Sequence, residues 1–467
     1  MAYNLHDLRV EGIEVVCIED CVIKAQMGEH STLFLRAIIE DEEQILFRKL
    51  ENQPIHVYFA EGEGRKTIFH GIITQCEVHA SLQFCELELT AKSYTYLMDI
   101  QKHSRSFQDT SMKYSVLLKK ILLEYQREGV IQTEDREIGE LIVQYEETDW
   151  EFLKRIFSQL EITISPDTKT EGVAFYVGVP ELKMHEIPYT ILQVSKDMKQ
   201  YYYLKANHQS VNTVYFTQYV LEAREILSLF ERVRIDKQEF CIYAYIYYFE
   251  GNEMVCTYYL QNKQGLKVKK QYPMHLIGVA LEGSIVDTKA DKVLVHLDID
   301  PAFQKSRGYW FPYSTMSASS DGSGWYCMPE KGDVVRVYFP SKYTAQAIAL
   351  SAVSNYRAGG GKDKMGDPNT KFLSTRHNKS VILAPDKIRI ACDGSAAVLD
   401  ITADGKVSIC ANKEVNLVAK EDIDISAVNE LNIHAEKMVQ IFCDKGGQAV
   451  LTEDGYAVFK GTEVKVN

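Results

Sequence analysis

The chain has 467 residues, of which 46% are hydrophobic and 25% charged, and a formal net charge of -13. With a mean hydropathy of -0.20, this is the composition of a multi-domain globular protein, which excludes a disordered chain or a small disulfide-stapled module. The acidic balance argues against general nucleic-acid binding and against docking on anionic lipid, because both need a basic surface.

The first twenty residues mix charges among apolar positions, so no secretory signal is expected. The longest strongly apolar run, Cys241 to Phe249, is too short to cross a bilayer as a helix. The ten scattered cysteines then read as reduced thiols.

In chain order, residues 1–105 alternate apolar and polar positions over short segments, as at Ile55, Val57 and Phe59, with a turn signal at Glu61 to Gly64 and a further run from Ile68 to Ile73. A first β-barrel is expected there. Within 106–165 the spacing of Leu117, Leu118, Ile121, Leu122 and Tyr125 predicts a helix over 111–128, capped from Asp109 to Ser111 and stopped at Gly129. A second helix opens on the capping-box pattern Thr148-Asp-Trp-Glu151 and carries Phe152, Ile156 and Leu160 on one face. Residues 166–271 read as strands again, including Tyr201 to Tyr203 and the stretch 241–250, and predict a second barrel whose tyrosines pack rather than bind. Alternation at Val293, Val295, Leu297 and Ile299, and at Val335, Val337 and Phe339, predicts a small five-strand barrel over 272–356. The glycine-rich, charged stretch 357–378 reads as a linker.

From Leu399 the sequence falls into six blocks of eight. Position one reads Leu399, Val407, Val415, Ile423, Leu431 and Val439; position three reads Ile401, Ile409, Leu417, Ile425, Ile433 and Ile441; position five reads Ala403, Ala411, Ala419, Ala427, Ala435 and Cys443. Positions one, three and five of a strand share a face, so each octad offers one apolar face followed by a polar corner. One strand and one corner cannot enclose a core. Three chains winding together can, each forming one side of a triangular prism with the apolar face on the axis. At about 4.8 Å per strand the six octads make a rod roughly 29 Å long. A homotrimer with an intertwined C-terminal β-helix over 379–467 is therefore expected.

Further motifs carry a resemblance. The segment VQYEETDWEFLKRI at 143–156, through Gln144, Tyr145, Glu147, Asp149, Phe152 and Arg155, resembles a segment of the VgrG (valine-glycine repeat) spike family and of contractile phage tail hub proteins. PEKGDVVRVYF, through Pro329, Gly332, Asp333, Val335, Val337 and Phe339, is similar to that family's small-barrel motif, and Ser351 to Asn355 to its closing turn. The resemblance implies a mainly β protein with two hub β-barrels, a helical insertion, an oligonucleotide/oligosaccharide-binding-like (OB-like) small barrel and a trimeric spike. It also implies a particle assembled in the cytoplasm and driven into a target envelope. The implied partners are an inner tube protein, baseplate proteins, effectors and a PAAR-like (proline-alanine-alanine-arginine) tip protein. The tip would seat on Val458, Phe459, Val464 and Val466.

No catalytic residue, cofactor site or metal site is expected. Gly322-Ser-Gly324 and Gly359-Gly-Gly-Lys362 lack phosphate-loop and dinucleotide-binding spacing, and Cys17 and Cys21 lack a second ligand pair. The linker is too short for a glycosidase, and Asn467 follows closely on the last octad, so no fused effector is expected. The rival readings are a polysaccharide-degrading β-helix enzyme, which needs paired carboxylates in a cleft, and a trimeric fibre or adhesin, which needs a receptor-binding head.

Overall fold

The structure is a computed structural model that describes residues 3–40, 53–61, 64–80, 84–126, 135–207, 210–354, 365–463 and 465. It divides into two compact units, 1–355 and 356–467.

The first unit opens with β1 (Leu8–Glu11), β2 (Cys17–Gln26), β3 (Thr32–Ile39), β4 (Pro54–Glu61), β5 (Gly64–Ala80) and β6 (Cys85–Ser93). These strands form because one side alternates into the core. Leu33, Leu35, Ala37 and Ile39 of β3 are buried, as are Cys85, Leu87, Leu89 and Ala91 of β6, and the expected Ile55, Val57 and Phe59 of β4. Each fully buried Leu or Val side chain contributes about 1.5–3 kcal/mol.

Next come β7 (Lys102–Phe107), α1 (Tyr114–Leu122), β8 (Ile142–Thr148), α2 (Asp149–Ser158), β9 (Ile164–Pro166), β10 (Phe175–Val177), β11 (Met184–His185), β12 (Thr190–Lys196), α3 (Met198–Ala206), β13 (Thr217–Ala223), β14 (Arg232–Ile235), β15 (Gln238–Glu250) and β16 (Glu253–Gln261). Twelve strands join in one sheet whose main path runs β1-β4-β5-β6-β3-β2-β15-β16-β13-β12. The two stretches expected as hub barrels thus share a sheet, joined where Ile23 to Gln26 of β2 pair antiparallel with Tyr247 to Ala244 of β15. One core serves both, running from Leu33 and Leu87 to Tyr258 and Leu260.

Two local expectations are corrected. The first helix spans Tyr114–Leu122, with a short 3-10 turn after it, rather than 111–128. Asp109 instead accepts from the Ser111 amide and hydroxyl, closing a turn before the helix. Asp135 reaches back to accept from the Ser115 amide, satisfying a first-turn donor that local sequence leaves open. Gly129 lies outside the described residues. Tyr201 to Tyr203 are helical, not extended: Asp197 accepts from the Lys199 and Gln200 amides, starting α3 despite its aromatic content.

The second helix begins where expected. Thr148 Oγ1 accepts from the Glu151 amide at 3.1 Å, and Glu151 Oε2 accepts from the Thr148 amide at 3.1 Å. Thr148 Oγ1 also donates to Asp99 at 2.5 Å. Thr148→Ala should cost about 1–2 kcal/mol, read as a lower urea midpoint with an unchanged slope; an unchanged midpoint would remove the cap from the account.

The first unit closes with β17 (Ala280–Lys289), β18 (Lys292–Leu297), β19 (Trp310–Pro312), β20 (Val334–Tyr338) and β21 (Ile348–Val353). They form a five-stranded antiparallel sheet, β19-β18-β17-β20-β21. Val293, Val295, Leu297, Val335, Val337 and Phe339 are buried in its core. Its outer strands also approach each other, through a bridge between Tyr313 and Ala349.

The second unit contains β22 (Lys371–Ser374), β23 (Lys379–Ala384), β24 (Lys387–Cys392), β25 (Ala397–Thr402) and β26 (Val407–Ala411) in one meander, and β27 (Met438–Phe442), β28 (Gln448–Thr452) and β29 (Ala457–Lys460) in another. β22 lies within the stretch read as linker. Only the first, second and sixth octads carry strands. The first two fold back on each other, pairing Leu399 with Ile409 and Ile401 with Val407, around a turn in which Gly405 takes a positive φ of 85°. No helix among the described residues is long and apolar enough to cross a membrane.

Candidate functional site

Two features stand out, one in each unit. In the first unit it is a joint built around β8. Alternation along this strand sends Leu141, Val143 and Tyr145 into the core of the five-stranded sheet. Ile142 packs instead with Trp150, Phe152 and Leu117 in the helical layer. One strand thereby ties two layers together.

Polar residues fix its geometry. Asp149 is fully buried and accepts from Arg105, from Tyr125 Oη at 3.0 Å and from Gln144 Nε2 at 3.0 Å. Arg105 Nε donates to Gln144 Oε1 at 2.8 Å, and another guanidinium nitrogen donates to Glu124 at 2.6 Å. Burial, reinforced by the Asp149 charge, pushes the Tyr125 phenol well above its ordinary range. Arg155 grips Glu147 with two hydrogen bonds, 2.7 and 2.6 Å, donates to the Val143 carbonyl and lies over the Phe152 ring. Such a fork is the geometry a guanidinium makes with a carboxylate. Each of the six residues quoted for the 143–156 motif therefore holds the joint.

Further bonds cross from the helical segment to the five-stranded sheet. Asp300 accepts from the Ser106 amide and hydroxyl at 2.6 and 2.5 Å, Gln108 donates to the Val295 carbonyl, and Thr344 Oγ1 donates to the Leu141 carbonyl. Burial raises the Asp300 carboxyl above its usual range. These partners are far apart in the chain, and no spacing rule exposes them. In the small sheet, Gly332 takes a positive φ of 92° and Asp333 accepts from the Glu330 amide, so the quoted Gly-Asp pair forms the turn entering β20.

Among the described residues, one group could hold a metal, His103 with Glu124 and Asp149. Arg105 already bridges the two carboxylates, so a fixed cation stands where an ion would neutralise them. Cys17 is exposed and Cys21 buried. Burial pushes the Cys21 thiol well up, disfavouring the thiolate a metal would need. A polar cavity of about 210 Å³ beside the joint is lined by Glu140, Arg155, Lys270 and Lys342, with Tyr272 and Tyr343. It gathers cations and phenols, not a nucleophile with a base.

His30 ties the β2–β3 turn to α2. Its ring lies 4.4 Å from that of Trp150, Nε2 hydrogen-bonds Asp99 at 3.3 Å, and Nδ1 meets Thr95 Oγ1 at 2.9 Å. Burial holds its pKa below the ordinary value, outweighing the Asp99 hydrogen bond. The folded state therefore resists a proton that the unfolded chain takes up below about pH 6.5. Stability is full above that pH and falls as pH drops towards the folded value. Wild type should lose melting temperature between pH 7.5 and 5.5, and His30→Gln should lose less; equal losses would clear His30.

In the second unit the feature is an apolar face. Cross-strand register places Leu373, Val381, Ile390, Leu399 and Ile409 in one row and Leu383, Ile388, Ile401 and Val407 in the next. Residues directly paired in antiparallel strands share a face. The octad face thus extends upstream to β22, a continuation that the eight-residue period does not reveal. Among the described residues of this unit, none covers it. Val407, Leu417 and Ile425 are 66%, 69% and 66% exposed, and Val415, Ile423, Leu431, Ile433 and Ile441 are also exposed. The fifth positions Ala403, Ala411, Ala419, Ala427, Ala435 and Cys443 are exposed as well. Among the described residues, none from 413 to 437 joins a strand or a backbone–backbone hydrogen bond. Val458 and Phe459 lie exposed on β29; Val464 and Val466 lie outside the described residues.

With this geometry in place, the comparisons define a class. Residues 26–172, which include the β8 joint motif, match the phage tail baseplate hub (GPD) family. Over that segment the chain is similar to the baseplate hub family, in line with the resemblance in its motifs. A component of the E. coli type VI secretion system, itself described as similar to the T4 bacteriophage tail proteins gp27 and gp5, aligns with a TM-score of 0.55 and 14% identity, covering 75% of this chain and 100% of that one. A chain of the Francisella PdpA–VgrG complex aligns with a TM-score of 0.50 and 11% identity, covering 84% of this chain and 76% of that one. At these identities the likeness is one of fold. No curated protein sequence matches the chain.

Proposed function

We propose that the chain is the non-enzymatic central hub and spike of a contractile injection system, acting as a homotrimer. The observation that carries this reading is the row of exposed apolar octad residues in 399–443, whose burial needs further copies of the same face. Removing about 100 Å² of apolar surface from water contributes about 2.5 kcal/mol, and the repeat offers that gain at every layer. Unpaired backbone from 413 to 437 points the same way, since extended chain excluded from water must find hydrogen-bond partners. Three copies wound as a prism supply both.

In this reading the strands of 1–105 and 166–271 form hub barrels that ring the inner tube, and 272–356 is an OB-like barrel, supported by the Tyr313–Ala349 bridge. The β8 joint transmits thrust between them, because its buried ion pairs resist shear in a way that an exposed linker does not. The prism delivers that thrust to a narrow end. A PAAR-like tip protein seated on Val458, Phe459, Val464 and Val466 would form the point, with baseplate and inner tube proteins around the hub. The particle would assemble in the cytoplasm and act at a target envelope.

The test is electron microscopy of contractile particles from cells lacking the chain. Assembled, baseplate-bearing particles should disappear and return on complementation. Normal particles without it would overturn the assignment.

A further inference from the structure

A basic strip runs from the polar cavity beside the joint, over the connector between β16 and β17, to α3. Lys342, in the turn between β20 and β21, holds its ammonium 4.1 Å from the centre of the Tyr272 ring and 5.1 Å from that of Tyr343. Lys270 lines the same cavity. Its chain neighbour Lys269 lies 4.7 Å from the ring of Tyr203 on α3. Ring faces carry partial negative charge, so these contacts orient two of the three ammonium groups. The connector itself is pinned on both sides of the two lysines. Gln200 on α3 donates to the Lys267 carbonyl at 2.6 Å, Gln159 beyond α2 donates to the Gln271 carbonyl at 2.5 Å, and the Gln271 amide donates to Ser158 Oγ at 2.8 Å.

The strip lacks counter-charge. Nearby Lys263 and Lys267 hold Glu181 and Glu161 at 2.5 and 2.7 Å. Among the described residues, Lys269, Lys270 and Lys342 have no such carboxylate, although the chain carries a net charge of -13. Arg155 also faces the cavity, but Glu147 already answers its charge. Glu140 is the one acid in the lining, and loss of hydration raises its carboxyl above the usual range against the pull of Arg155 and Lys270. Two lysines against one glutamate leave the cavity with an excess positive charge. Burial, with Tyr343 beside it, raises the Tyr272 phenol, so its hydroxyl keeps the proton it can donate. At about 210 Å³ the cavity is smaller than the roughly 300–1,000 Å³ that whole small-molecule ligands occupy. It has room for a side chain.

We infer that this strip docks an acidic peptide segment of a partner protein, one carboxylate entering the cavity between Lys270 and Lys342 and another meeting Lys269. The tyrosine rings would pack on the methylenes of the acidic side chains. A phosphate ligand fits less well, because the guanidinium fork that suits it is already closed on Glu147. The docking involves neither the octads nor the number of copies, so it stands or falls separately from the spike.

The test is fluorescence anisotropy of the full-length protein with a labelled hexaglutamate, acetylated and amidated at its ends. Salt is held at about 100 mM, where charges more than about 10 Å apart are screened. Saturable binding is the expected result, weakened about tenfold by Lys270→Gln with Lys342→Gln. Lys413→Gln with Lys420→Gln changes the net charge equally at two exposed positions of the second unit and should leave binding intact. Lys270 is exposed, so Lys270→Gln alone keeps a readout if the paired substitution disturbs folding; it should weaken binding as well. No saturable binding, or equal weakening by the two pairs, would overturn the proposal. Tighter binding of a labelled oligothymidylate of the same charge would overturn it too, by assigning the strip to nucleic acid.

Discussion

Ile425→Asp is expected to abolish the trimer. Ile425 is two-thirds exposed in a single copy, so the substitution costs the monomer little. In the prism it places three carboxylates around one layer of the axis, where each ion costs on the order of several kcal/mol unless it takes a proton. Analytical ultracentrifugation should show single copies at neutral pH, with partial recovery of trimer in acid as the carboxylates are neutralised. Substituting an outward octad residue, as in Asp424→Ala, should leave assembly unchanged. A wild-type sedimentation profile for Ile425→Asp would show that the third octad position does not face the axis.

Asp149→Ala should destabilise the hub unit by about 3–5 kcal/mol, the usual cost of removing one partner of a buried ion pair. Three donors, from Arg105, Tyr125 and Gln144, converge on this carboxylate, and two of them belong to strands that must stay in register for the joint to hold. Asp149→Asn keeps the volume but leaves the guanidinium short of a charge, so it should recover only part of the loss. Glu124→Gln is the control. Glu124 meets the same arginine at the half-exposed end, where such a pair contributes under about 1 kcal/mol. Urea unfolding followed by tryptophan emission would report all three, since Trp150 lies in this layer. Equal midpoints for Asp149→Ala and Glu124→Gln would contradict the joint as described.

What could be read from the sequence was what repeats or acts locally. Period-two alternation located β4, β18 and β20, because a half-buried strand must alternate. Thr148 and Glu151 declared α2 because a capping box is complete within four residues. The first two octads share a row for the same reason, where β25 pairs with β26. The Arg105–Asp149 bond could not be read, since it depends on the pairing of β7 with β8 rather than on spacing. The junction of β2 with β15, which merges two expected barrels into one sheet, was hidden likewise. Tyr201 to Tyr203 misled because aromatic content favours strands only weakly, whereas Asp197 fixes the helix start. The upstream part of the apolar face, Val381 to Ile390, was missed because its hairpin spacing departs from eight.

The account stands on the octad face being an interface between copies. Light scattering of the purified full-length chain reads this directly. A mass near three times 53.3 kDa, unchanged on dilution, is the predicted result; a stable single copy at micromolar concentration would contradict the spike.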